Sequence, residues 1–175
     1  MNIGTMRLPV RYLKVGEIQV TDRPSVIVTI LGSCLSVTMF SRRLGVGGIC
    51  HGLMPTCSYM KQCIEACKSG FKYVDCSILR MVKQFEGLGA KRSEIEVKCF
   101  GGAELFSRNN DKTREAVSIG RENIQAARKI LKQEGLTLLA MDIGGNGGRK
   151  ILFYPHTGEV LLKRLGKTGL PLNLR

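Results

Sequence analysis

Two residues of this chain have types and spacing that suit covalent chemistry. Cys34 stands in TILGSCLSVTMF (29–40), a polar Gly-Ser-Cys step between two apolar runs. Seventeen residues later His51, one of only two histidines, stands in GVGGICHGLMP. A cysteine nucleophile needs its thiolate, a base within hydrogen-bond reach and a third group that orients the base. A free thiol titrates near ~8.5, so an imidazole is the usual means of supplying thiolate at neutral pH. His51 sits in an apolar, small-residue run, where an imidazole without a partner is out of place. His156, in YPHTGE, reads instead as a solvent-exposed turn residue. Thr29, five residues before Cys34, can offer a hydroxyl to orient the ring, and the Gly32-Ser33 step can present main-chain N–H groups to an oxyanion. The plain alternative is a buried, inert Cys34 and a satisfied core His51, and spacing alone leaves both open.

The elements that would position these residues follow from periodicity. SVIVTIL (25–31) and LSVTMF (35–40) are rich in β-branched and apolar residues and read as strands separated by Gly32 and Ser33. RRLGVGG (42–48) reads as a turn, and GICHGLM (48–54) as a third strand ended by Pro55. Paired antiparallel, the second and third strands return His51 towards the start of the second, where Cys34 lies. A short helix is expected over 58–68 and a firmer one over 73–89, with Val74, Ile78, Met81, Val82 and Phe85 on one face. SEIEVKCFGGA (93–103) alternates as a strand before its Gly-Gly. A second strong helix covers 118–135, with Ile124, Ala127, Ile130 and Leu131 inward. LTLLAMDI (136–143) is a strand, GGNGG (144–148) a tight loop, and 149–165 a hairpin turning at His156-Thr157-Gly158. This order predicts one mixed α/β domain over 1–175, largely antiparallel, rather than a doubly wound parallel sheet.

Composition excludes several function classes. With 43% hydrophobic and 23% charged residues the chain is a folded type, and no apolar run approaches the ~20 residues of a membrane span. Its start lacks the pattern of a secretory signal, so a cytoplasmic protein is expected. Seven cysteines, an odd number, point to reduced thiols, and Cys57, Cys63 and Cys67 lack the paired spacing of a zinc site. IGGNGGR (143–149) runs from strand into strand without G-K-[ST], which argues against a phosphate cradle. The net charge of +13 suits an acidic partner, yet no RNA-binding aromatic signature or helix-turn-helix pattern accompanies it.

Taken in order, TILGSCLSVTMF, GVGGICHGLMP, KCFGGAELF, IGRENI and DIGGNGGRKILFYPHTGEV resemble the chemoreceptor glutamine deamidases, the CheD family, from about Gly16 to Lys163. The resemblance implies a compact α/β sandwich, with largely antiparallel sheet and flanking helices. It implies hydrolysis of selected glutamine side chains on the cytoplasmic helices of chemoreceptors to glutamate and ammonia. It also implies a Cys-His-Thr site with no cofactor or metal, which maps to Cys34, His51 and Thr29, and a CheC-type phosphatase as a further partner. Nucleic acid and membrane insertion are not expected. The alternative is a non-catalytic chemotaxis adaptor that binds receptors or such a phosphatase. Two departures stand out: MFSRRLG where an acidic residue often follows the strand, and a Cys- and Met-rich LMPTCSYMKQC beside the expected substrate groove.

Overall fold

The computed structural model describes residues 7–58, 71–104 and 118–166. Nine strands are found among them: β1 (Val10–Tyr12), β2 (Ile18–Thr21), β3 (Val26–Leu31), β4 (Leu35–Ser41), β5 (Val46–Cys50), β6 (Ile95–Gly101), β7 (Leu138–Ile143), β8 (Arg149–Tyr154) and β9 (Glu159–Arg164). They form two sheets, one ordered β1-β3-β8-β9 and the other β2-β5-β4-β6-β7. Helices α1 (Val74–Gly87) and α2 (Ile119–Gln133) pack on the outer face of the five-stranded sheet. The mixed α/β domain expected from the element order is therefore present, as the sandwich that the resemblance implies, and antiparallel pairings prevail. Only β1 with β3 and β6 with β7 run parallel.

Each layer follows from side-chain periodicity. On α1 the stripe Val74, Ile78, Met81, Val82 and Phe85 is buried, as its helical spacing predicts. It meets Leu35, Val37 and Met39 of β4 and Cys50 of β5 in the largest core cluster. Burying side chains of this size contributes roughly 1.5–3 kcal/mol each. The other face of the same strands looks across at the four-stranded sheet, where Ile49 packs with Leu13, Ile27 and Phe153, and Phe100 with Leu31 and Ile151.

The structure corrects the expected third strand. β5 covers 46–50 rather than 48–54, so His51 lies one residue past its end. Residues 52–55 instead run beside the start of α1, with Leu53 and Met54 donating to the Lys72 carbonyl and Val74 donating to that of Met54. The reason lies on the neighbouring segment: the His51 N–H donates to the Glu17 carbonyl and the Gly16 N–H to that of His51, which ends the regular ladder. β1 and β2 were not expected. β1 is fully exposed and β2 half-buried throughout, so neither alternates in hydropathy. Of the short helix expected over 58–68, residues 59–68 lie outside the described residues.

A second finding concerns the Gly32-Ser33 step. It does not turn a hairpin: β3 belongs to one sheet and β4 to the other, so the step carries the chain between layers. Residues 144–148 make a second crossing, from β7 to β8. The Leu31 carbonyl lies where a side chain on Gly148 would fall, so the two crossings run side by side.

Candidate active site

Cys34 sits at the end of the first crossing, half-buried, with its side chain against Leu31, Phe100 and Ile151 between the sheets. β4 and β5 pair with Thr38 opposite Ile49, and the isolated bridge of Leu35 with Gly52 continues that same register. Ser36 therefore stands opposite His51. Cys34, two residues earlier on the same face, stands diagonal to the imidazole, a separation of roughly 7 Å between backbones that a histidine ring spans. Thr29 on β3 faces the same space from the other sheet. Its Oγ1 lies 2.8 Å from His51 Nδ1 and donates to the Leu13 carbonyl at 3.0 Å.

These two bonds fix the imidazole tautomer. A threonine hydroxyl has one proton, and a carbonyl can only accept. With that proton given to Leu13, the short contact at Nδ1 is favourable only when Nδ1–H donates to Oγ1. Nε2 is then an unprotonated acceptor, and it is buried without a hydrogen-bond partner among the described residues. Burial of the ring lowers the His51 pKa from its ordinary value, partly offset by the Leu13 carbonyl. Burial likewise raises the Cys34 pKa, partly offset by its own backbone N–H. Both shifts favour the uncharged forms, thiol and neutral imidazole.

The backbone around Cys34 is held from one side. The Gly32 carbonyl accepts from the Ala103 N–H and the Cys34 carbonyl from the Gly102 N–H, each at 2.8 Å. Asn123 of α2 donates from Nδ2 to the carbonyls of Ser33 and Leu53, at 3.0 and 3.1 Å. In a trans peptide the N–H points opposite to the C=O. Tying back the carbonyls of Gly32 and Ser33 therefore turns the N–H groups of Ser33 and Cys34 the other way, where that of Ser33 has no partner among the described residues and that of Cys34 meets its own thiol. Gly101, at a φ of 108°, must be glycine, because a Cβ there would be driven into the Cys34 carbonyl oxygen.

Thr29 and His51 thus meet between the sheets at 2.8 Å, whereas the strand register places Cys34 diagonal to His51 with no hydrogen bond from its thiol to Nε2. Sequence reasoning missed Asn123, Leu13 and the Gly101-Gly102 support. The signal for Asn123 was available: it shares the buried helical face with Ala127, Ile130 and Leu131, where a polar side chain requires a partner. His156 lies in the β8–β9 turn, as expected, but is half-buried rather than exposed, with Nδ1 buried and unpartnered among the described residues. The glycine-rich loop 144–148 is gripped from within, since buried Arg149 donates to the Gly144 and Gly147 carbonyls and pairs with Asp142 at 2.8 Å. No group of three or more potential metal ligands occurs among the described residues. Cys63 and Cys67 lie outside them.

A family model described as CheD chemotactic sensory transduction matches residues 58–164. A relative from Geobacter sulfurreducens, named probable chemoreceptor glutamine deamidase CheD 2, is 42% identical over 93% of this chain and 94% of its own length. This chain belongs to the CheD family. Relatives named probable chemoreceptor glutamine deamidase CheD extend from Maridesulfovibrio salexigens, 38% identical over 89% of this chain and 92% of the relative, to Thermococcus kodakarensis, 33% identical over 86% and 90%. The CheD model match takes in Gly101, Gly102 and Asn123 but begins after Thr29, Cys34 and His51. The case for those three therefore rests on their geometry. No described helix is long and apolar enough to cross a membrane.

Proposed function

We propose that this chain deamidates glutamine side chains on chemoreceptors, with Cys34 as nucleophile, His51 as base and Thr29 as the group that holds the base. The relatives' names supply the substrate class. The observation that carries the residue roles is the Thr29 Oγ1 contact to His51 Nδ1, which leaves Nε2 as an unpartnered acceptor on the face shared with Cys34.

Nε2 takes the thiol proton as sulfur attacks the amide carbon, and the tetrahedral oxyanion forms against the N–H groups of Ser33 and Cys34. The protonated imidazole returns that proton to the departing nitrogen, so ammonia leaves and a thioester remains. Water then gives a proton to Nε2 and its hydroxyl to the thioester carbon. The C–S bond breaks, the thiolate recovers its proton from His51, and glutamate is released. Because both groups rest neutral, proton transfer accompanies attack, and no standing ion pair is needed.

The substrate is a receptor helix, docked with one glutamine entering between the sheets. The net charge of +13 favours an acidic partner surface and would steer its approach. The test is mass spectrometry of a receptor cytoplasmic fragment after incubation with wild type or Cys34→Ala. Wild type is expected to add about 1 Da per modified glutamine, the mass change on replacing NH2 by OH in an acyl group. The variant is expected to add nothing while keeping its melting transition. Receptor deamidated equally by Cys34→Ala would end the proposal, and receptor bound but unmodified by wild type would favour the adaptor alternative.

A further inference from the structure

The side chain of Asn123 is fully buried, and its Oδ1 has no partner among the described residues. Its two donors go to carbonyls on separate segments: Ser33, immediately before the nucleophile, and Leu53, two residues after the base. Both carbonyls belong to half-exposed residues. The arrangement leaves a buried acceptor orphaned in order to place two donors, so stability alone explains it poorly.

Resting on the deamidase proposal above, we infer that Asn123 is the positioning residue of the oxyanion pocket, acting through the Cys34 N–H. The Ser33 carbonyl and the Cys34 N–H belong to one rigid peptide unit. Fixing the carbonyl from α2 therefore fixes the direction in which that N–H points. The second bond, to Leu53, ties the same anchor to the segment that follows His51. The carbonyls on either side are held by Ala103 and Gly102, leaving Asn123 as the tie to the central one.

A pocket donor contributes only while an oxyanion exists, which gives a test that separates this role from plain support of the fold. Alkylation of Cys34 by iodoacetamide displaces iodide at a tetrahedral carbon and forms no oxyanion, yet it needs the thiol and its base. In Asn123→Ala and Asn123→Asp, kcat for ammonia release from a receptor cytoplasmic fragment is expected to fall on the order of 10- to 100-fold. KM and the rate of Cys34 alkylation, followed by peptide mass spectrometry, should stay within about twofold, as expected where only an interaction made in the transition state is lost. An unchanged kcat would overturn the inference. So would alkylation falling in step with kcat, which would make Asn123 an organiser of the Cys-His pair instead. Loss of the native melting transition in both variants would also overturn it, by making the residue structural. A wild type that releases no ammonia would sink deamidation itself, an outcome read from a separate arm.

Discussion

Cys50 and His51 are consecutive, yet the sheet sends them into opposite worlds. Cys50 faces the helices among Val37, Met39 and Ile78, fully buried, with its thiol pushed up to about 12. His51 faces the second sheet, with Thr29 at its Nδ1. The same alternation sorts the partner strand: Leu35, Val37 and Met39 look towards the helices, whereas Cys34, Ser36 and Thr38 look between the sheets. One pair of strands thus carries an apolar face and a partly polar one. A cysteine's chemistry here is decided by the parity of its position. The face between the sheets holds buried polar groups, Ser36 Oγ and His51 Nε2, that lack partners among the described residues. The opposite face is filled by hydrocarbon and sulfur.

This contrast can be broken most directly by labelling. At neutral pH iodoacetamide should modify Cys34 at least ~100-fold faster than Cys50 or Cys99, because both buried thiols are pushed up to about 12 and lie out of reach. Equal labelling by peptide mass spectrometry would show that the two faces do not differ chemically. A smaller change is expected from Thr29→Val, which removes the hydroxyl between the ring and the Leu13 carbonyl. Deamidation should drop on the order of 10-fold or more, with Thr29→Ser largely restoring it. Thr29→Val activity at the wild-type level would remove the residue from the site.

Titration sharpens the comparison further. Burial depresses the His51 pKa below its ordinary 6.5, so the unfolded chain takes up this proton more readily than the folded one. Stability from this group is present above 6.5 and is lost as pH falls through the lowered folded value. Activity should follow the same acid limb in kcat/KM, with its midpoint below 6.5. A midpoint above 6.5 would mean that burial does not depress the His51 imidazole. The smallest effect concerns encounter rather than chemistry. If the +13 charge steers an acidic receptor, kcat/KM should fall several-fold from low salt to about 0.5 M, while kcat holds. A salt-independent kcat/KM would leave the charge without that use.

Much of this was legible in the residues, because it depends on short-range pattern. The stripe of α1, the alternation of β4 and the 149–165 hairpin with its turn at 155–158 were readable from periods of 3.6 and 2. So was the antiparallel register of β4 and β5 that sets Cys34 diagonal to His51, since neighbouring strands joined by a short turn pair in this way. What stayed hidden depends on partners distant in sequence. That β3 and β4 belong to different sheets is decided by β8 and β6, more than fifty residues away. β1 leaves no mark because its ladder with β3 is made by backbone groups that every residue shares. His51 lies past the strand end through bonds to Gly16 and Glu17, which no hydropathy pattern records. Asn123 alone was within reach of the pattern, as a polar residue on an apolar helical face.

The stitching of the Gly32–Cys34 step has a consequence for the timing of assembly. Its three carbonyls are held by Ala103, Asn123 and Gly102, and β3 is completed by Arg149–Phe153. A chain emerging from the ribosome at about 5–20 residues per second therefore displays its thiol and imidazole several seconds before the groups that organise them exist. On the proposed function, competence would arrive last, with the final third of the chain. A fragment ending before residue 101 would carry Cys34, His51 and Thr29 complete in sequence and still lack every tie that turns the Ser33 and Cys34 N–H groups towards a substrate.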